Sequence, residues 1–246
     1  MLVLRPGALG DTLLAVPALR ALRNAYQPLT LAAHVGAARL LASLGEVDVG
    51  ISFDDPSLGP LFRGEPSRDE VVAWMAQPIA RALVNAPSRP FGMQHCAKYL
   101  LETLRPLGID LTWDDHPLRV APIRSGEVLI HTGSGSPNKN WPRQRFAAVV
   151  DALNRPVRLI VGEADTTLDP RLPVCGPSLE ELAQRLAGCH AYLGNDSGVS
   201  HLAGLAGART LTLFGPTDPA VWKPLGSRVT VLPFDIDPNE VAELLA

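Results

Sequence analysis

Short apolar runs, each followed by a stretch with helical spacing, recur along this chain in two successive series. The first opens with LVLR (2–5) and a helical stretch over about 11–25, whose apolar face is Leu13, Leu14, Val16, Pro17, Leu19 and Leu22. LTLAAHV reads as a second strand, about 36–44 as a helix and VDVGISF as a third strand, before a turn-rich segment over 54–66. Two helical stretches, DEVVAWMAQPIARAL and HCAKYLLETLRPLGI, and a short strand, PLRVAP, complete the series. At 123–127 the pattern restarts: strand VLIHTG, helix FAAVVDAL, strand VRLIVG, helix SLEELAQRLAG, strand AYLGN. A helix over GVSHLAG, strands RTLTLFG and RVTVL and a terminal helix PNEVAELLA follow. Strands separated by helices imply parallel sheets with right-handed crossovers. Two such series predict two doubly wound α/β lobes, 1–124 and 125–246, facing each other across a cleft. Ligands then belong at the carboxyl ends of the strands.

Composition permits this and narrows the function. With 246 residues, 46% hydrophobic and 19% charged, the chain can fill one large core or two of about 120 residues each. The formal net charge is −3 and no long basic run occurs, which gives no basis for a nucleic-acid partner or an electrostatic membrane anchor. Cys96, Cys175 and Cys189 are far apart and form no CxxC pair, so reduced, mostly buried thiols are expected rather than a metal site. No leader-like or membrane-spanning apolar stretch is present in the sequence, and the reading is a soluble, cytoplasmic protein.

Three strand-end loops carry the chemistry. In RPGALGDT (5–12), Gly7 and Gly10 have only part of the dinucleotide glycine spacing, and no acidic residue closes the next strand. Asp11 stands where a helix begins. It is either an N-cap bonding the amide of residue 13 or 14, or a carboxylate able to take a proton from an attacking hydroxyl. In HTGSGSPNKNWPRQRF (131–146), the Gly-Ser run exposes donors suited to a phosphate, and Lys139 adds a positive charge. This is not a P-loop, and His131 reads as a buried, hydrogen-bonded strand residue. In GNDSGVSHLAG (194–204), Asp196, Ser197 and Gly198 stand at a helix entrance, which is electropositive and suits an anion. Asp196 is then either the cap of that helix or a contact to the hydroxyl-bearing part of a ligand. His201 is either packed in the core or turned back toward the anion.

Taken together, LVLRPGALGDTLLAVPALRALR, HTGSGSPNKNWPRQRF and SLEELAQRLAGCHAYLGNDSGVSHLAGLAGARTLTLFGPTDPAVWKP resemble the heptosyltransferases of glycosyltransferase family 9. The resemblance implies a GT-B fold, with the acceptor on the first lobe and a nucleotide-sugar donor on the second. It also implies inverting, metal-independent transfer of a heptose from an ADP-activated donor, with no cofactor, to a lipopolysaccharide-type acceptor met at the inner face of the membrane. Carried over by position, Asp11 is the catalytic base, with Gly10 beside it on the acceptor side. Lys139 meets donor phosphate and sugar, and Ser134 and Gly135 match the hydroxyl-bearing pair of its loop, although Gly135 has no hydroxyl. Asp196 contacts the donor sugar, Ser197 and Gly198 the diphosphate, with His201 near it. Glu163 is the candidate for the ribose hydroxyls, with Asp165 competing. The cysteine-rich stretch that many members carry after the FGPT loop is replaced here by RVTVLPFDIDPNE. Three other readings fit parts of the pattern: a non-catalytic nucleotide-sugar-binding protein, an epimerase or hydrolase on the same fold, and a dinucleotide-dependent oxidoreductase.

Overall fold

The computed structural model describes residues 1–65, 67, 69–162 and 172–246. The chain divides into two compact units, Met1–Asp115 and His116–Ala246. In unit 1 the strands are β1 (Leu2–Arg5), β2 (Thr30–Ala33), β3 (Val49–Ser52), β4 (Val71–Trp74) and β5 (Val84–Ala86). Its helices are α1 (Leu9–Leu13), α2 (Val16–Ala25), α3 (Val35–Ser43), α4 (Gly59–Phe62) and α5 (Cys96–Glu102). All four strand pairings are parallel, in the order β3-β2-β1-β4-β5.

Two differences from the sequence pattern in unit 1 have simple causes. The single helix expected over 11–25 is two, interrupted around Leu14 and Ala15. Pro17 has no N–H to offer the carbonyl four residues back, so the ladder breaks there. The stretch expected as a helix around VVAW is instead β4. Its four consecutive residues are all buried, which a helix manages only when covered all round but a central parallel strand requires.

Unit 2 contains β6 (Val128–His131), β7 (Val157–Ile160), β8 (Val174–Cys175), β9 (Ala191–Asn195), β10 (Thr210–Phe214) and β11 (Val229–Pro233). Its helices are α6 (Arg143–Ala152), α7 (Leu179–Gly188), α8 (Gly198–Leu205), α9 (Pro219–Trp222) and α10 (Pro238–Leu245). The sheet is again wholly parallel, in the order β11-β10-β9-β6-β7-β8. Its core runs from Val128, Ile130 and Leu193 to Leu211 and Leu213, closed by Trp141 and Phe146 packed edge to face at 5.2 Å. The strand expected at PLRVAP does not form. Instead the Leu118 N–H donates to Leu205 O and the Ile123 N–H to Gln184 O, so this proline-flanked run lies on the helices of unit 2. The second unit therefore starts ahead of the expected restart at 125.

Both sheets are doubly wound, and in each the strand order reverses beside the first strand of the unit. In unit 1 that point lies between β1 and β4, and in unit 2 between β6 and β9. The carboxyl ends flanking such a point leave a crevice that neither crossover helix covers.

Candidate functional site

The crevice of unit 2 is formed by the loop after β6, which carries Lys139, and the turn after β9, which carries Asp196. Lys139 ends a short 3-10 turn, Pro137–Lys139, and its Nζ donates to Asp196 Oδ2 at 2.7 Å. The hydroxyl of Thr217, in the loop after β10, donates to the same oxygen at 2.7 Å. His201 Nε2 stands 3.9 Å from the other oxygen, Oδ1. The Asp196 side chain is only 6% exposed, whereas that of Lys139 is 32% exposed. A buried carboxylate needs charged and polar partners to offset its desolvation, and these side chains supply them.

Asp196 is not the cap of α8. That role belongs to Ser197, whose backbone is extended and whose Oγ accepts the Ser200 N–H. Gly198 is therefore the first residue of the helix, at its electropositive end. The Ser197 hydroxyl also lies 3.4 Å from His131 Nδ1, so His131 is buried at the crevice floor and joined to the capping residue. Ser200 accepts or donates with Tyr192 at 3.0 Å beneath it. His201 is buried and turned toward Asp196.

In the loop after β6 the Ser134 hydroxyl folds back. It donates to Ser136 O at 2.7 Å and accepts the Ser136 N–H at 3.3 Å. A Cβ built on Gly135 would meet nothing within 4 Å. Asn195 braces the loop at both ends: its Nδ2 donates to Thr132 O at 2.8 Å and its Oδ1 accepts the Trp141 N–H at 2.9 Å. Glu163 and Asp165 lie outside the described residues.

The crevice of unit 1 is built differently. Asp11 is the third residue of α1, not its cap. Its carboxylate reaches backward, and Oδ2 accepts the N–H of Ala8 at 3.1 Å. The amide of residue 14 is already taken by the carbonyl of Gly10, which is buried in the same turn. Gly7, at φ 132°, gives the carboxylate its room: a Cβ there would lie 2.9 Å from Asp11 Oδ2. Arg5, the last residue of β1, stands with Nη2 3.5 Å from Asp11 Oδ1. Burial lowers the Arg5 guanidinium below its ordinary value, with Asp11 opposing that shift. Burial also pushes the nearby Cys96 thiol up to about 11.

The sequence reading did not single out Arg5, Thr217 or Asn195. A charge closing an otherwise apolar strand was the available signal for Arg5. Thr217 comes to Asp196 only because β10 lies beside β9, a fact of strand order. Among the described residues no group of three or more His, Cys, Asp or Glu side chains is placed to hold a metal ion, and no helix is long and apolar enough to cross a membrane.

Comparison with known proteins bears on the whole arrangement. The family model for glycosyltransferase family 9 (heptosyltransferase) matches residues 107–241. The lipopolysaccharide heptosyltransferase 1 of Escherichia coli K12 is 26% identical over 172 residues, 59% of this chain and 52% of that protein. Its Pseudomonas aeruginosa counterpart is 40% identical over 109 residues, 37% of this chain and 29% of that protein. The aligned part thus spans about half or less of the curated relatives it matches. Among solved structures, the family 9 glycosyltransferase of Veillonella parvula superposes with a TM-score of 0.78 at 20% identity, covering 99% of this chain and 96% of that one. The E. coli heptosyltransferase WaaC with ADP gives 0.75 at 16% identity, covering 99% and 98%. At such identities the likeness is one of fold, and it extends over both units. With the family model spanning more than half of its residues, the chain belongs to glycosyltransferase family 9, the heptosyltransferases.

Proposed function

We propose that this protein is an inverting, metal-independent glycosyltransferase that moves a heptose from an ADP-activated donor to a hydroxyl of a lipopolysaccharide-type acceptor. The observation that carries the donor assignment is the Lys139–Asp196–Thr217 cluster beside the N-terminus of α8. A nucleotide sugar has an anionic part and a hydroxyl-rich part. The Lys139 ammonium and the first amides of α8, with Ser197 and Gly198, suit the diphosphate. The Asp196 carboxylate suits sugar hydroxyls, His201 stands beside it, and the loop around Ser134 and Gly135 adds backbone donors. The solved relative WaaC carries ADP, which supports the same choice of nucleotide.

In the step we assign, Asp11 accepts the proton of the acceptor hydroxyl as its oxygen bonds to the anomeric carbon. The bond from that carbon to the diphosphate breaks on the opposite face, the configuration inverts, and ADP leaves with the electron pair. Lys139 and the α8 amides would stabilise the charge that develops on the departing phosphate, the task a divalent cation performs elsewhere. The base operates without a cofactor, and such an acceptor would be met at the inner face of the membrane.

The test is a thermal-shift panel of ADP-, GDP-, UDP- and dTDP-sugars on the wild type and on Lys139→Ala. Selective stabilisation by an ADP-sugar, weakened in the variant, is expected. Equal response to all four, or none, would remove the donor assignment.

A further inference from the structure

The Arg5 guanidinium is fully buried, yet its Nε and Nη2 have no oxygen or nitrogen hydrogen-bond partner among the described residues, and only Nη1 has one, to Pro6 O at 3.2 Å. Burial of a cation with unmet donors is expensive, and an apolar side chain of similar volume is commonly as stable or more so. The groups facing it are few. The Cys96 thiol, a weak hydrogen-bonding group beside the guanidinium, and the like-charged Arg89 act on it electrostatically, and neither is a counter-charge at neutral pH. The carboxylate in ion-pair range is Asp11, whose Oδ1 is 3.5 Å from Nη2. The other oxygen of that carboxylate is held by the Ala8 N–H. Asp11 is thus gripped by a buried cation on one oxygen and a backbone amide on the other, over a glycine that leaves it space.

We propose that Arg5 is a positioning residue for Asp11, holding its carboxylate fixed in direction for proton acceptance. This inference rests on the reading of Asp11 as the base. It differs from a packing role for Arg5, which a methionine would fill equally well.

A double-mutant cycle on the full chain separates these. Arg5→Met, Arg5→Lys, Asp11→Asn and the Arg5→Met/Asp11→Asn pair are compared. Turnover is read as ADP release from ADP-heptose with lipopolysaccharide from heptose-deficient cells, ADP affinity by calorimetry and stability by Tm. Arg5→Met is expected to lower kcat about 10- to 100-fold while the KM for donor and the affinity for ADP stay as in wild type. Arg5→Lys recovers part of that loss, and in the Asp11→Asn background Arg5→Met causes no further loss. In stability, Asp11→Asn alone lowers Tm because it leaves the buried cation without its counter-charge, and adding Arg5→Met restores it. The same fold-loss from Arg5→Met in both backgrounds would overturn the proposal. So would a fully active Arg5→Met beside an inactive Asp11→Asn, which leaves the functional reading standing. Wild-type turnover in Asp11→Asn removes the reading of Asp11 itself.

Discussion

At the switch point of unit 1 the cation is the buried partner, with Arg5 1% exposed and Asp11 17% exposed. At that of unit 2 the order is reversed, with Asp196 6% exposed and Lys139 32% exposed. The same pair of charge types, at the same place in two sheets of the same order, therefore presents opposite signs outward. A carboxylate backed by a buried cation is suited to receive a proton from an incoming hydroxyl. A lysine backed by a buried carboxylate is suited to receive an incoming anion. The fold supplies the position, and which partner is sunk into it decides the sign of charge presented outward.

The contrast can be broken most severely at Asp11. Asp11→Asn should fold, bind ADP as wild type does and lose about 10²- to 10⁴-fold in transfer, measured as ADP release in the presence of acceptor. Retained turnover would mean that the outward carboxylate is not the base. Next comes Asp196→Ala, expected to weaken an ADP-sugar about tenfold or more while weakening bare ADP much less. If calorimetry finds both weakened alike, Asp196 serves only to anchor Lys139, and the contrast becomes one of anchoring alone. Gly7→Ala forces a positive-φ position and pushes on the Asp11 carboxylate, so a loss of about 1–3 kcal/mol in denaturant unfolding is expected together with slower transfer. Among the described residues no positive-φ glycine lies in the turn that carries Asp196, and Ser197→Ala removes a helix cap instead. It should cost about 1 kcal/mol by the same measurement. The smallest effect belongs to Gly135→Ser. With open space at its Cβ, stability should change by no more than about 0.5 kcal/mol, and any gain in donor affinity reports whether that position faces the phosphates.

The same contrast explains what could be read from the chain. Unit 2 was largely legible from β6 onward, since its main strands are bounded by glycine-rich turns and its helices have clear apolar faces, whereas the run PLRVAP, the two-residue β8 and the short α9 were not. Unit 1 was less so after residue 69. VVAW is a doubly covered central strand, and a continuous apolar run has no period to distinguish it from a buried helix. The loop positions of Asp11, Lys139 and Asp196 at strand ends were legible because strand-turn-helix boundaries are marked by Gly, Pro and Asp. Partners were not. That Ser197 rather than Asp196 caps α8 depends on backbone angles no residue type dictates, since both are good caps. Arg5 looks like a solvated strand end until its burial beside Asp11 of α1 and Cys96 of α5 is seen. Thr217 is far along the chain from Asp196 and meets it through strand order alone.

Asn195 has one more consequence. Its amide is tied to Thr132 at one end of the β6 loop and to Trp141 at the other. The loop is thereby a closed ring fastened to β9, and much of the conformational freedom that a glycine- and serine-rich segment would otherwise hold is surrendered when the protein folds. On the donor site proposed above, a nucleotide sugar arriving at Lys139 would meet a loop already ordered, so less of its binding energy would be diverted into ordering it.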